Sequence, residues 1–154
     1  MAERDAWSFA TFHTAVLVAA GVSVLHLTGT LGDALAGLDT ATGLVVYAAL
    51  WATTWATNRR VLAAAAPDGP VGSLLLAGSV WGAVTAAAFV LELVALLGVS
   101  RVLGGDVAVT RIPLSLLGVL VIVLAVAGIV GGVVGAVLAL VDAGAARAAR
   151  ALVA

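Results

Sequence analysis

The chain has no cysteine and no lysine. Without cysteine there can be no disulfide, thiolate metal site, iron–sulfur cluster or cysteine nucleophile. Without lysine all seven basic residues are arginine, a compositional bias that makes arginine by itself weak evidence of anion binding. Charge of either sign is scarce, at 10% of 154 residues. The arginines are scattered, so the basic stripe needed for nucleic acid is missing and that class of partner is set aside. Long polar stretches are lacking too: outside the apolar runs only connectors and tails of about a dozen residues remain, too little for a soluble catalytic domain. What is abundant is hydrocarbon. The chain is 64% hydrophobic, far from the composition of soluble domains, and reads as a single multi-pass transmembrane domain over residues 1–154.

Four apolar runs predict an all-α fold, an antiparallel four-helix membrane bundle with helices over about 9–31, 41–66, 71–98 and 113–141. Each reaches the length that crosses a hydrocarbon core of about 30 Å. Ala34-Leu35-Ala36 resembles a leader-peptide cleavage site, but the first run is too long, and Glu3 and Asp5 spoil a basic start. It is read as a span. Asp39 or Thr40 is placed to cap the second helix, and Pro67-Asp68-Gly69-Pro70 is a turn that makes the second and third spans neighbours. Val99 to Ile112 reads either as two short strands about Gly104-Gly105-Asp106 or as a frayed helix end and a loop. Pro113 suits the first turn of the fourth helix.

The run from Val71 to Gly98 is interrupted once, by Glu92. A carboxylate at that depth costs about 2.5 to 3.5 kcal/mol on insertion scales, so it is expected to face the bundle interior, a partner or water. Gly78, Trp81, Thr85, Ala88 and Ala95 lie within about 60° of it, while Ala83, Val90, Val94 and Leu97 project from the opposite, lipid side. Two histidines occupy the first span about 140° apart. His26 shares a side with Ala15, Ala19, Ser23 and Thr30, read as a packing face, and His13 reads as an interfacial residue. With the N-terminus inside, His26 and Glu92 lie about 9 and 10 Å beyond the middles of their spans. Tyr47 belongs to the same outer half, and Arg101 and Arg111 bound the outer mouth. Glu92, His26 and Tyr47 thus form a candidate intramembrane polar cluster. Such residues can relay protons, since histidine titrates near neutrality and desolvation raises a carboxyl pKa, or can serve only as interhelical glue.

In the fourth span Gly128/Gly132 and Gly131/Gly135 are overlapping GxxxG pairs, which let a second helix approach closely, from the same chain or from another copy. Tyr47, Trp51 and Trp55 recur at every fourth position, an aromatic stripe suited to packing and interfacial anchoring. Orientation follows the arginines: with both termini cytoplasmic, Arg4, Arg59, Arg60, Arg147 and Arg150 lie inside and only Arg101 and Arg111 outside. The spacing of His13 and His26 is similar to that of paired haem ligands in transmembrane b-type cytochromes, but no facing helix carries histidine. No cofactor or metal is expected. No H-E-x-x-H, nucleophile elbow or clustered acid pair is found. The expectation is a non-enzymatic subunit of the cell membrane that has the bilayer, and either a second copy or another membrane protein, as partner. The alternative is a proton- or ion-coupled transporter or channel.

Overall fold

The structure, a computed structural model, describes residues 2–36, 39–65, 69–103 and 114–153, with backbone alone at 2–5, 97, 99–103, 114–115 and 153. The described residues are 94% helical, without a strand. Five helices follow in order: α1 (Ala2–Leu27), α2 (Leu31–Ala36), α3 (Thr40–Ala64), α4 (Val71–Leu103) and α5 (Leu114–Val153). Three stretches, Ala6–Leu27, Val71–Leu96 and Leu116–Leu152, are long and apolar enough to cross a membrane, which marks a membrane protein. The chain divides into two compact units, Met1–Arg59 and Arg60–Ala154.

In the first unit, α1 stops four residues short of the expected end. Gly29 adopts the left-handed conformation (φ 74°), and the Thr30 and Gly29 amides turn back to the carbonyls of Leu25 and His26 at 2.9 and 3.1 Å. This pair of bonds is a Schellman cap, which glycine enters without the steric cost of a Cβ. The short helix α2 occupies the expected connector. Asp39 then caps α3: the Thr42 amide donates to Oδ1 at 2.8 Å and the Thr42 hydroxyl to Oδ2 at 2.9 Å. These bonds stabilise the anion and hold the Asp39 carboxyl below its usual pKa, the Thr42 amide being the largest cause.

Contacts between α1 and α3 run through side chains. Trp7 and Thr11 meet Trp51, and His13 meets Asn58, a local crossing between the first half of α1 and the latter part of α3. Among the described side chains of α1, Ala6, Ala10, His13 and Thr14 are buried, while Ala15, Ala19, Ser23 and His26 are exposed. The packed side is therefore the one that carries His13, not the small-residue side that carries His26.

The second unit is an antiparallel hairpin of α4 and α5. Hydrophobicity alone does not select the contact, because both helices are apolar all round; small residues do, by letting backbones touch. A Cβ on Gly78 would lie 2.7 Å from the Gly135 carbonyl oxygen and 2.8 Å from the Ala139 Cβ. Near the α4 start, Ala65, Leu74, Ala77, Ala139 and Ala143 form the buried cluster, with Val61 packed against it. Pro70 opens α4, its carbonyl accepting from the Ser73 hydroxyl at 2.7 Å. Val99–Leu103 continue α4 as helix, so a strand does not begin at Val99. The rest of that question, with Pro113, Pro67 and Asp68, lies outside the described residues. Helix α5 runs unbroken for 40 residues, about 60 Å at 1.5 Å per residue.

Candidate functional site

The first unit holds the polar side chains that meet across helices. His13 is 6% exposed and its Nδ1 lies 3.2 Å from Asn58 Nδ2 and 3.3 Å from Oδ1. Either the amide donates to a bare Nδ1 or a protonated Nδ1 donates to the carbonyl, according to the tautomer. Burial of the imidazole is tolerated because the half-buried Asn58 amide hydrogen-bonds to it. Beneath them Thr54 and Thr57 are buried and return their hydroxyls to the α3 backbone, Thr54 to the Leu50 carbonyl at 2.7 Å and Thr57 to that of Thr53 at 2.9 Å. Thr14 differs. It is fully buried and its hydroxyl has no hydrogen-bond partner among the described residues.

An aromatic ladder adjoins this crossing. Trp7 meets Trp51 edge-on, centroids 6.0 Å apart at 70°, and Trp51 stacks on Trp55 at 6.3 Å and 7°. The Trp51 indole N–H donates to the Thr11 hydroxyl at 3.2 Å, which itself donates to the Trp7 carbonyl at 3.0 Å. The ladder ends in a cation: the Arg59 guanidinium carbon lies 4.9 Å from the Trp55 ring centre, within the range of a cation–π contact.

The residues singled out from the sequence fall as follows. His26 and Tyr47 are exposed in the first unit, and no hydrogen bond or ring contact joins them among the described residues. Tyr47 stands apart from the ladder formed by Trp51 and Trp55. Glu92 belongs to the second unit, half-buried on α4. It lies about 90° around that helix from the contact with α5, so it borders the helix pair. Ala83, expected toward lipid, is on the α5 side, its Cβ 3.9 Å from where a Cβ on Gly132 would stand. Arg101 is in α4 with its side chain outside the described atoms, and Arg111 is outside the described residues. Gly131 and Gly135 touch the α4 backbone. Gly132 is looser, since a Cβ added there would stand 3.3 Å from the Ser79 carbonyl oxygen, and Gly128 faces open space.

Sequence reasoning passed over Trp7, Thr11, Asn58 and the pairing of Gly78 with Gly82. Asn58 could have been found, being the only carboxamide side chain in the chain and set in a run where an unpaired amide is costly. Gly78-x-x-x-Gly82 is itself a GxxxG pair. Among the described residues no group of three or more His, Asp or Glu side chains could hold a metal ion.

No curated protein and no solved structure matches the chain. One family does match, over residues 2–154, and the chain belongs to it: the family of unknown function DUF7965.

Proposed function

We propose that the chain is a multi-pass protein of the cell membrane, with α1, α3, α4 and α5 crossing and both termini cytoplasmic. In this reading it is a structural or accessory subunit that assembles with a second copy or another membrane protein and carries out no enzymatic reaction. The observation that supports the reading is the two-sidedness of α5. Its inner side is glycine and alanine set against α4, while Val119, Ile122, Val126, Ile129, Val130, Val133 and Val137 are each 53–70% exposed. That much aliphatic surface suits lipid and neighbouring helices, and the side chains that chemistry would require are few. The test is the mass of the complex released from native membranes into nanodiscs. Cross-linked dimers or a stoichiometric membrane partner are expected, and a single protomer with no partner at native abundance would sink the subunit reading.

A second reading is proton- or ion-coupled transport, and it draws on one observation: an acidic residue, Glu92, half-buried within the apolar stretch Val71–Leu96. Intramembrane carboxylates mark ion pathways often enough to merit a direct assay. In liposomes Glu92→Gln would abolish a pH-dependent flux while the chain stays folded. Absence of any such flux in the wild-type chain rejects this reading.

A further inference from the structure

We propose that the Arg59 guanidinium, braced on the Trp55 ring, binds the phosphate of an anionic membrane phospholipid. Three observations carry this. The first is placement: the guanidinium carbon lies 4.9 Å from the Trp55 ring centre, a cation–π contact that holds the charge in place without using its N–H donors in a hydrogen bond. The second is vacancy of those donors. Arg59 is exposed, and among the described residues its only partner is the Trp55 ring. A planar fork of unsatisfied donors is the geometry that takes a phosphate through two parallel hydrogen bonds.

The third observation chooses lipid over a soluble anion. The apolar stretch of α1 begins at Ala6, so Trp7 stands at the boundary where hydrocarbon gives way to headgroups. Arg59 and Arg60 are the first charges after the apolar run of α3, so in the proposed crossing the guanidinium and the Trp55 ring one turn before it stand at such a boundary as well. Indole rings concentrate at headgroup level, where one edge is apolar and the other polar. A phosphate there is covalently part of the surface that the rings already occupy. The inference rests on the membrane reading of the chain and adds the lipid class.

The experiment uses the full chain in phosphatidylcholine vesicles, with Trp81→Phe as background so that emission comes from Trp7, Trp51 and Trp55. Flotation after a carbonate wash first establishes insertion; failure there overturns the membrane reading, and the site with it. Quenching by phosphatidylglycerol with brominated acyl chains is then compared with quenching by brominated phosphatidylcholine. Half-quenching is expected at an about fivefold lower mole fraction of the anionic lipid, the factor one arginine provides near a membrane surface. Arg59→Gln should close the gap with unchanged circular dichroism, and Arg59→Lys should narrow it by keeping charge without the planar fork. Arg60→Gln, one position along the same helix, should leave it intact. An inserted chain with no gap overturns the proposal alone. So does Arg60→Gln closing the gap as far as Arg59→Gln, which would mean diffuse charge. An unchanged gap in Arg59→Lys, or relief of quenching by inorganic phosphate, rules out the bidentate lipid site as well.

Discussion

Gly82 of α4 and Gly131 of α5 block one another: a Cβ on either would run into the carbonyl oxygen of the other. The contact is reciprocal and made by backbone, so no rotamer change can relieve an added side chain. Gly82→Leu and Gly131→Leu are each expected to destabilise the hairpin by about 1–3 kcal/mol or more, the cost of overpacking a close-packed contact. Gly128→Leu, at a position with nothing within 4 Å, should cost little. Unfolding in detergent followed by circular dichroism measures all three. Equal stabilities for Gly131→Leu and Gly128→Leu would refute the seam, and loss of folding without a change in oligomer mass would place it within one chain.

The α1–α3 crossing allows a paired test of polar satisfaction. Thr14 and Asn58 are both polar, but Asn58 bonds to His13 whereas the Thr14 hydroxyl has no hydrogen-bond partner among the described residues. Thr14→Val keeps the shape and removes an unsatisfied hydroxyl, so stability should hold or rise by up to about 1 kcal/mol. Asn58→Leu leaves the His13 ring short of this bond and should cost about 1–3 kcal/mol, or nearer 0.6 if the unfolded chain in lipid supplies a substitute partner. Thermal melting in nanodiscs gives both values. Thr14→Val proving the more harmful of the two would overturn this account of the crossing.

Helix existence was legible in the sequence because long apolar runs bounded by Asp39 and Pro70 have few other solutions. Helix partners were less so. In a chain this apolar the hydrophobic pattern distinguishes no face, and rotational position had to be inferred from small residues. Gly131 and Gly135 came from that cue, and an added Cβ at either would meet the α4 backbone; Ala83 was misplaced because Glu92 was taken as the centre of the packed face. On α1 the small residues Ala15, Ala19 and Ser23 drew the packing face to His26. The structure instead buries Ala6, Ala10 and Thr14 beside His13, and the cue was the partner amide Asn58, forty-five positions away. Gly29 ended α1 early through a left-handed cap that hydropathy does not register.

Asp39 should make α3 sensitive to acid. Its folded-state pKa is lowered by the Thr42 amide and hydroxyl, so the folded chain binds the proton less well than the unfolded one. The stabilisation is present above the ordinary value of 3.8 and is lost as pH falls below it, through the folded-state pKa. Asp39→Ala should lower the melting temperature at neutral pH, and the gap to wild type should close in acid. Asp39→Asn, which retains an acceptor for the Thr42 amide, should keep more of the stability at neutral pH. Equal melting temperatures for wild type and Asp39→Ala at neutral pH would remove the cap from the account of α3.

The crossing of α3 is the point on which topology turns. By length and hydropathy three stretches suffice to cross a membrane, and α3 is not among them, because Thr53, Thr54, Thr57, Asn58, Arg59 and Arg60 make its second half polar. Yet Thr54 and Thr57 return their hydroxyls to their own helix and Asn58 is paired with His13, so much of that polarity is satisfied internally and the cost of insertion falls. A crossing α3 puts the α1–α3 connector and the α3–α4 connector on opposite sides. With no native cysteine, single cysteines at Asp33 and Gly69 report this directly. An impermeant maleimide added to intact cells should label Asp33→Cys, and Gly69→Cys should react only after permeabilisation, giving four spans with both termini cytoplasmic. Labelling of both from the outside would mean that α3 does not cross and that the termini lie on opposite sides. Labelling of Gly69→Cys alone would keep the crossing and invert the orientation, against the arginine distribution of five to two.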